Sequence, residues 1–330
     1  MEPFFCAAAS HAAQEDLIGT AGTSDTYVFI QCPQPWASKA HETAALPLRL
    51  RAYMMQKRPG VRFLLAEVGN VLKDTNRPSE LALLIYQKQT AIFNNGYVGK
   101  ALRLTSLDDA VDTLERYFSG EISGQPITTN DFFVCVHGSR DKCCARFGRP
   151  FLKYAAKQIC AAGAEGKLRL WQVSHIGGHR FAPTALHLPS GRWYGRLDDT
   201  AFLSILAQLS IVEVHRFGLD AWKRTYRGWG ILPPALQILE RNLMTELNGF
   251  NNRVAYRIQA VQTDEQSKVT TTQATLSVLS AQGQLTVYQA SVTKSPAQQL
   301  RLSCEMAQPT DSYAYAVKQC YPLTSTGLAA

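Results

Sequence analysis

Phe132-Phe133-Val134-Cys135-Val136-His137-Gly138-Ser139-Arg140-Asp141-Lys142-Cys143-Cys144-Ala145-Arg146-Phe147-Gly148-Arg149-Pro150-Phe151 runs from an apolar stretch through a polar, glycine-bearing loop into a second apolar periodicity. The aromatic and β-branched residues at 132–136 predict a strand. Pro150 suits the first turn of a helix whose apolar stripe is Phe151, Tyr154, Ala155 and Ile159. A second apolar run at 168–174 predicts another strand, so the stretch reads as strand, helix and parallel strand. Residues 181–188 and 192–197 then read as a hairpin around Pro189-Ser190-Gly191, and 198–209 as a closing helix.

The same order precedes it. A strand at 26–32 ends at Pro33-Gln34-Pro35, and a helical stretch from about 37 to 58 is stopped by Pro59-Gly60. Strands follow at 61–68 and 81–87, with a short one near 91–93 beside the Asn94-Asn95-Gly96 turn. Ser106 then caps a helix through Phe118, with Asp108 and Asp109 in its first turn and Gly120 past its end. Ser123-Gly124-Gln125-Pro126 reads as a linker. Beyond 215 the pattern changes to an amphipathic helix at 233–247 and strands near 254–261, 269–279, 284–291 and 299–304. Two parallel strands joined by a helix, then a hairpin and a last helix, is the thioredoxin-like arrangement. The expected fold is α/β, with two thioredoxin-like units in tandem (1–125 and 126–215) and a C-terminal α+β segment (216–330) bearing an antiparallel sheet.

Composition narrows the class. The 330 residues, 46% apolar and 18% charged, exclude a disordered or collagenous chain, and eight cysteines are too few for a secreted disulfide scaffold. No apolar run approaches the ~20 residues that span a bilayer. No basic residue precedes the apolar patch at 4–9, so a secretory signal is not expected and the cytoplasm is the expected compartment. Net charge is +8, and residues 131–250 hold 16 basic against 9 acidic residues. That excess favours an acidic partner by complementary potential, whether protein, nucleic acid or membrane headgroup; a redox partner protein is expected and nucleic acid is not. Arg140, Lys142 and Arg146 are the candidate docking residues.

Cys135, Cys143 and Cys144, followed by His175-Ile176-Gly177-Gly178-His179, carry the chemistry. Thiolates and imidazoles are ligands for borderline-soft transition metals. There is no Cys-x-x-Cys, which argues against a dithiol oxidoreductase or a zinc ribbon. Gly177-Gly178 disfavours a helix, placing the histidines on a loop at the carboxyl edge of the sheet, where open α/β sheets take their ligands. A lone cysteine or histidine is ordinary core or surface chemistry; five donors within 45 positions are not. A four-coordinate site leaves Cys143 or Cys144 spare. His137 and Asp141, inside the motif loop, either support the ligands through hydrogen bonds or serve the turn itself. His11, His41, His187 and His215 read as structural, and Cys6, Cys32, Cys160, Cys304 and Cys320 as buried small residues. The aromatic and basic stretch 216–229 is expected to pack its rings inward with its cations in water.

Cys-x-His-Gly-x-Arg-Asp-x-x-Cys at 135–144, His-x-Gly-Gly-His at 175–179 running into Arg180-Phe181-Ala182-Pro183, and Tyr226-Arg227-Gly228-Trp229 resemble the sucrase/ferredoxin-like family. Cys6, Leu17-Ile18-Gly19-Thr20-Ala21 and Cys32-Pro33-x-Pro35-Trp36 extend the resemblance over about 4–250. It implies a 2Fe-2S cluster on a thioredoxin-like fold, held by Cys135, Cys144, His175 and His179, with Cys143 as the alternative ligand. The implied function is electron transfer or redox sensing, with proton coupling at the imidazole N–H groups. The alternatives are a structural zinc Cys2His2 protein and a thiol or peroxide oxidoreductase using Cys143 or Cys144. No carboxylate pair supports sucrase activity; a carrier is expected rather than an enzyme with its own substrate.

Overall fold

The apolar run Thr26–Gln31 forms β1, and Val61–Val68 forms β2 parallel to it, with helix α2 (Leu48–Met55) in the crossover. On the other side of β1 lie antiparallel β3 (Ala82–Lys88) and β4 (Tyr97–Arg103), followed by α3 (Ala110–Phe118) and the short edge strand β5 (Gln125–Pro126). The order then repeats: β6 (Asn130–Cys135), α4 (Lys142–Ala161), parallel β7 (Leu168–Val173), the hairpin β8 (Ala185–Leu188) and β9 (Arg192–Tyr194), and α5 (Asp199–Gln208). We analysed a computed structural model, which describes residues 3–68, 81–91, 96–211, 219–246, 255–280 and 283–327.

The two repeats join through antiparallel pairing of β2 with β7, and after helix α6 (Leu219–Thr225) β10 (Tyr226–Trp229) adds to β9. One mixed sheet results, in the order β10-β9-β8-β6-β7-β2-β1-β3-β4-β5. It curls back on itself. Phe29 of β1 stacks on Phe133 of β6 with centroids 3.8 Å apart, although two strands about 4.8 Å wide separate β1 from β6 in the sheet. Tyr97 N–H at the start of β4 reaches Pro189 O in the β8–β9 turn at 2.8 Å. Asp131 of β6 lies inside the curl, fully buried, accepting from Arg169 Nε and Nη2 at 2.6 Å each, from Trp171 Nε1 at 2.8 Å and from the Tyr86 hydroxyl of β3. Every lone pair of a buried carboxylate that stays unpaired is costly, and four donors from two strands, β7 and β3, remove that cost.

A separate antiparallel sheet contains β11 (Ala255–Gln266), β12 (Val269–Leu279), β13 (Gln284–Leu300) and β14 (Thr310–Gly327) in chain order. Helix α7 (Pro234–Glu246) packs against β10 on one side and β13 and β14 on the other. Helix α1 (Cys6–Ala12) packs on the turn at His179–Phe181, and Gln298 Nε2 of β13 donates to Ala13 O at 3.2 Å.

Several local expectations are corrected. The helix expected at 37–58 is confined to α2, because Pro47 stands in its middle and the helix starts directly after it. Helix α4 begins eight residues before Pro150, so Pro150 is interior and Cys143 and Cys144 occupy the first turn instead of a loop. The Asp141 carboxylate accepts from Cys143 N–H at 2.9 Å, and that cap starts the helix early. Residues 181–184 precede β8, and His179–Phe181 form a 3₁₀ turn. No strand lies at 301–304; β13 stops at Leu300 and the last strand is β14. The expected strand at 91–93, the turn at 94–95, His215 and the boundary at 215 fall wholly or partly outside the described residues. The antiparallel sheet expected in 216–330 begins only at β11, since β10 belongs to the large sheet. Among the histidines read as structural, His187 is buried and held by Ser190 Oγ at 2.6 Å and Asn130 Oδ1 at 3.1 Å. Cys160, expected to be buried, is exposed on the outer face of α4.

Candidate metal centre

Cys135 ends β6, Cys144 lies in the first turn of α4, and His175 follows β7, so two parallel strands and the crossover helix deliver the three donors to one sheet edge. Gly148 permits the approach: a Cβ there would stand 2.2 Å from Cys135 O. The ligand atoms of Cys135, Cys144 and His175 lie within 4.8 Å of one another, with Cys144 Sγ 3.8 Å from His175 Nδ1. Both thiols are buried. Cys144 S–H bonding, aided by His175, holds the Cys135 thiol well below its ordinary pKa, while the same bond and burial push Cys144 up.

His179 stands beside this group, its ring centroid 5.2 Å from that of His175. Its Nδ1 turns the other way, to Asp141 Oδ2 at 3.0 Å and Cys6 Sγ at 3.4 Å. Asp141 is thus both cap and histidine partner. Burial pushes its carboxyl up, but the bonds from His179 and the Cys143 and Cys304 N–H groups prevail and hold it well below the usual range. His137 also supports the site. Its Nδ1 accepts from His175 N–H at 3.0 Å while Nε2 donates to Ala37 O at 2.8 Å, and its ring meets Trp36 edge to face.

Arg227 braces the histidine loop from below. It is 3% exposed and donates to Gly177 O at 3.0 Å and to Thr20 O at 2.6 Å, so the expectation that all cations of 216–229 face water fails at this residue. Lys223 and Arg224 are exposed, and Trp222, Tyr226 and Trp229 are buried, as expected. Gly178 has φ +74 and a Cβ there would meet Arg227 Nη2 at 2.5 Å, so the turn before His179 requires glycine twice over. Exposed Lys142 and Arg146 stack on Phe5 at 5.0 and 4.5 Å. Arg140, Lys39, Arg62 and His137 line an open cavity of about 330 Å³ that reaches His175.

The chain also gathers thiols that sequence reading separated. Cys6 Sγ lies 3.6 Å from Cys143 Sγ, Cys143 Sγ 3.3 Å from Cys304 Sγ, and Cys304 Sγ 3.6 Å from Cys6 Sγ. Neither Cys6 nor Cys304 is an isolated small residue. No local spacing links them; the only signal was Cys143, which the four-ligand reading left over. A bond from Cys6 lowers the Cys143 pKa to about 6, and burial raises that of Cys304 to about 11.

The sucrase/ferredoxin-like family matches residues 17–228 of the chain. Altered inheritance of mitochondria protein 32 from Meyerozyma guilliermondii is 32% identical over 81 residues, which are 23% of this chain and 28% of that protein. The chain therefore spans under a third of this relative's length. No solved structure matches the chain.

Proposed function

The chain belongs to the sucrase/ferredoxin-like family, and from that premise we propose that it is an electron-transfer or redox-sensing protein holding a 2Fe-2S cluster on Cys135, Cys144, His175 and His179. The observation that carries this reading is the pairing of donors: two thiols packed together, and two imidazoles side by side at the same sheet edge. Two thiolates on one iron and two imidazoles on the other is a known mixed ligation. Each repeat of the large sheet is then a thioredoxin-like unit, the second carrying the ligands and the first shielding them through Trp36 and Ala37.

Bound there, a 2Fe-2S cluster supplies a one-electron couple whose potential the neutral imidazoles raise relative to all-cysteine ligation. The chain's own residues set the rest. Asp141 holds a proton on His179 Nδ1, which leaves Nε2 as the ligand nitrogen. His137 fixes the backbone of His175. The buried thiols keep water from the sulfur side, whereas His175 opens onto the cavity rimmed by Lys39, Arg62 and Arg140. That basic rim is the face for an acidic redox partner. A peroxide or disulfide enzyme is disfavoured, because Cys143 and Cys144 are 0% and 1% exposed.

Iron and acid-labile sulfide analysis of protein purified without oxygen tests the reading, with about two of each expected per chain. Cys144→Ser should abolish the visible absorption and Cys143→Ser should keep it. Loss in both variants, loss in Cys143→Ser alone, or zinc in place of iron at these residues overturns the assignment.

A further inference from the structure

We infer that Cys6, Cys143 and Cys304, with Asp141, form a second metal site, distinct from the Cys135–His179 set and built for zinc. The three thiols come from the start of α1, the first turn of α4 and the turn between β13 and β14, and Cys6 and Cys304 are 298 residues apart. Their sulfurs form a triangle with sides of 3.6, 3.3 and 3.6 Å. Zinc–thiolate bonds of about 2.3 Å in a tetrahedron give sulfur–sulfur edges of about 3.8 Å. A disulfide, at about 2.05 Å, would join two of the three and strand the third. The fourth donor is present: one ligand atom from each of Cys6, Asp141, Cys143 and Cys304 lies within 4.8 Å of all the others.

The surroundings suit thiolates. Cys6 N–H donates to Cys304 Sγ at 3.4 Å, and Ala7 N–H donates to Cys143 Sγ. Asp141 accepts Cys143 N–H at 2.9 Å and Cys304 N–H at 3.1 Å, which fixes the backbone behind two of the sulfurs. Phe4, Phe5, Phe147 and Ala182 wall the group off, while half-buried Cys304 leaves an entry path for an ion. A thiol is a weak donor and acceptor, so three converging S–H groups stabilise little by themselves. With an ion bound, binding energy becomes folding energy that ties the first helix to the last hairpin. On binding, Zn–S bonds form and the S–H bonds still present among the three cysteines break, their protons passing to solvent with no electron transferred. The site does not depend on the iron reading, which uses the neighbouring Cys144.

The test takes the full chain, loads it with Zn2+, desalts it, and measures zinc and iron in wild type, Cys6→Ser, Cys304→Ser, Cys135→Ser and the control Cys320→Ser. About one zinc per wild-type chain is expected, with affinity falling tenfold or more in Cys6→Ser and Cys304→Ser while iron is unchanged. Zinc should persist in Cys135→Ser and Cys320→Ser. A wild type that retains no zinc, or zinc that survives Cys304→Ser and leaves with Cys135→Ser, overturns the proposal. Should the variants misfold, alkylation of the wild type decides: zinc should protect Cys6, Cys143 and Cys304, and a chelator should expose them. Free reactivity with zinc present, or a Cys143–Cys304 disulfide in oxygen-free protein, refutes it. Absent iron with zinc lost in Cys304→Ser would fail the cluster reading and leave this one standing.

Discussion

Arg227 and His137 show how single residues hold the candidate centre without belonging to it. Arg227 satisfies carbonyls of the histidine loop and of the Thr20 segment from a position 3% exposed. Arg227→Met keeps the packing volume but orphans both acceptors, so unfolding free energy should fall by about 2–4 kcal/mol in a denaturant titration. An unchanged midpoint would show that water replaces the guanidinium. His137→Phe keeps the ring against Trp36 and removes the bonds to His175 N–H and Ala37 O. Iron affinity should drop about tenfold or more, with a smaller effect on stability of about 1–3 kcal/mol. At this scale the sequence singles out His137 and Asp141 only as polar residues of the motif loop, with turn chemistry as the other reading; their bonds to His175 N–H and to His179 come from the structure. It was silent on Arg227, whose burial depends on Thr20, a residue 207 positions away.

At the level of elements, the start of α4 decides the site. Asp141 caps the helix, Cys143 and Cys144 leave its first turn toward different sulfur groups, and Gly148 lets it close on the end of β6. Gly148→Ala puts a methyl group against Cys135 O, and overpacking there should cost about 1–3 kcal/mol and lower iron occupancy together. A folded variant with full iron would show that α4 can retreat without moving its cysteines. The helix at 106–118 was legible down to its cap: Ser106 and Asp109 form a reciprocal capping box before Ala110–Phe118. The sequence points to a later start of α4 because Pro150 is a common first-turn residue, whereas the aspartate cap nine residues upstream lies inside what reads as a loop.

The molecule as a whole carries an acid-sensitive joint where β8 turns into β9. His187 is buried, and desolvation, with the nearby Arg192 charge, lowers its pKa to about 3. In the unfolded chain a histidine titrates near 6.5. Between those values the unfolded state binds a proton that the folded state refuses, so stability is fully present above about pH 6.5 and is lost as pH falls toward 3. Asp141, whose carboxyl is depressed, adds a loss only at lower pH, as it becomes protonated. His187→Gln retains polar contact with Ser190 and Asn130 but cannot charge. Its unfolding free energy should therefore change less than wild type's between pH 6.5 and 4; equal slopes would mean that His187 charges within the fold.

Periodicity and turn chemistry alone pointed to two strand–helix–strand units before an antiparallel sheet, though not to β4 at 97–103, and to one sheet edge shared by Cys135, the Cys143-Cys144 pair and the His175–His179 loop. Those are local facts: strands alternate, helices need caps, and a parallel pair needs a crossover. Only the tertiary structure decided that the repeats merge through β2 and β7 into one curled sheet, and that Cys6 and Cys304 meet Cys143. Neither has a sequence signature, because both depend on how segments from 103 (Val68 and Trp171) to 298 (Cys6 and Cys304) residues apart bury their apolar faces together. A thiol's neighbours across 298 positions are set by that packing and not by spacing along the chain.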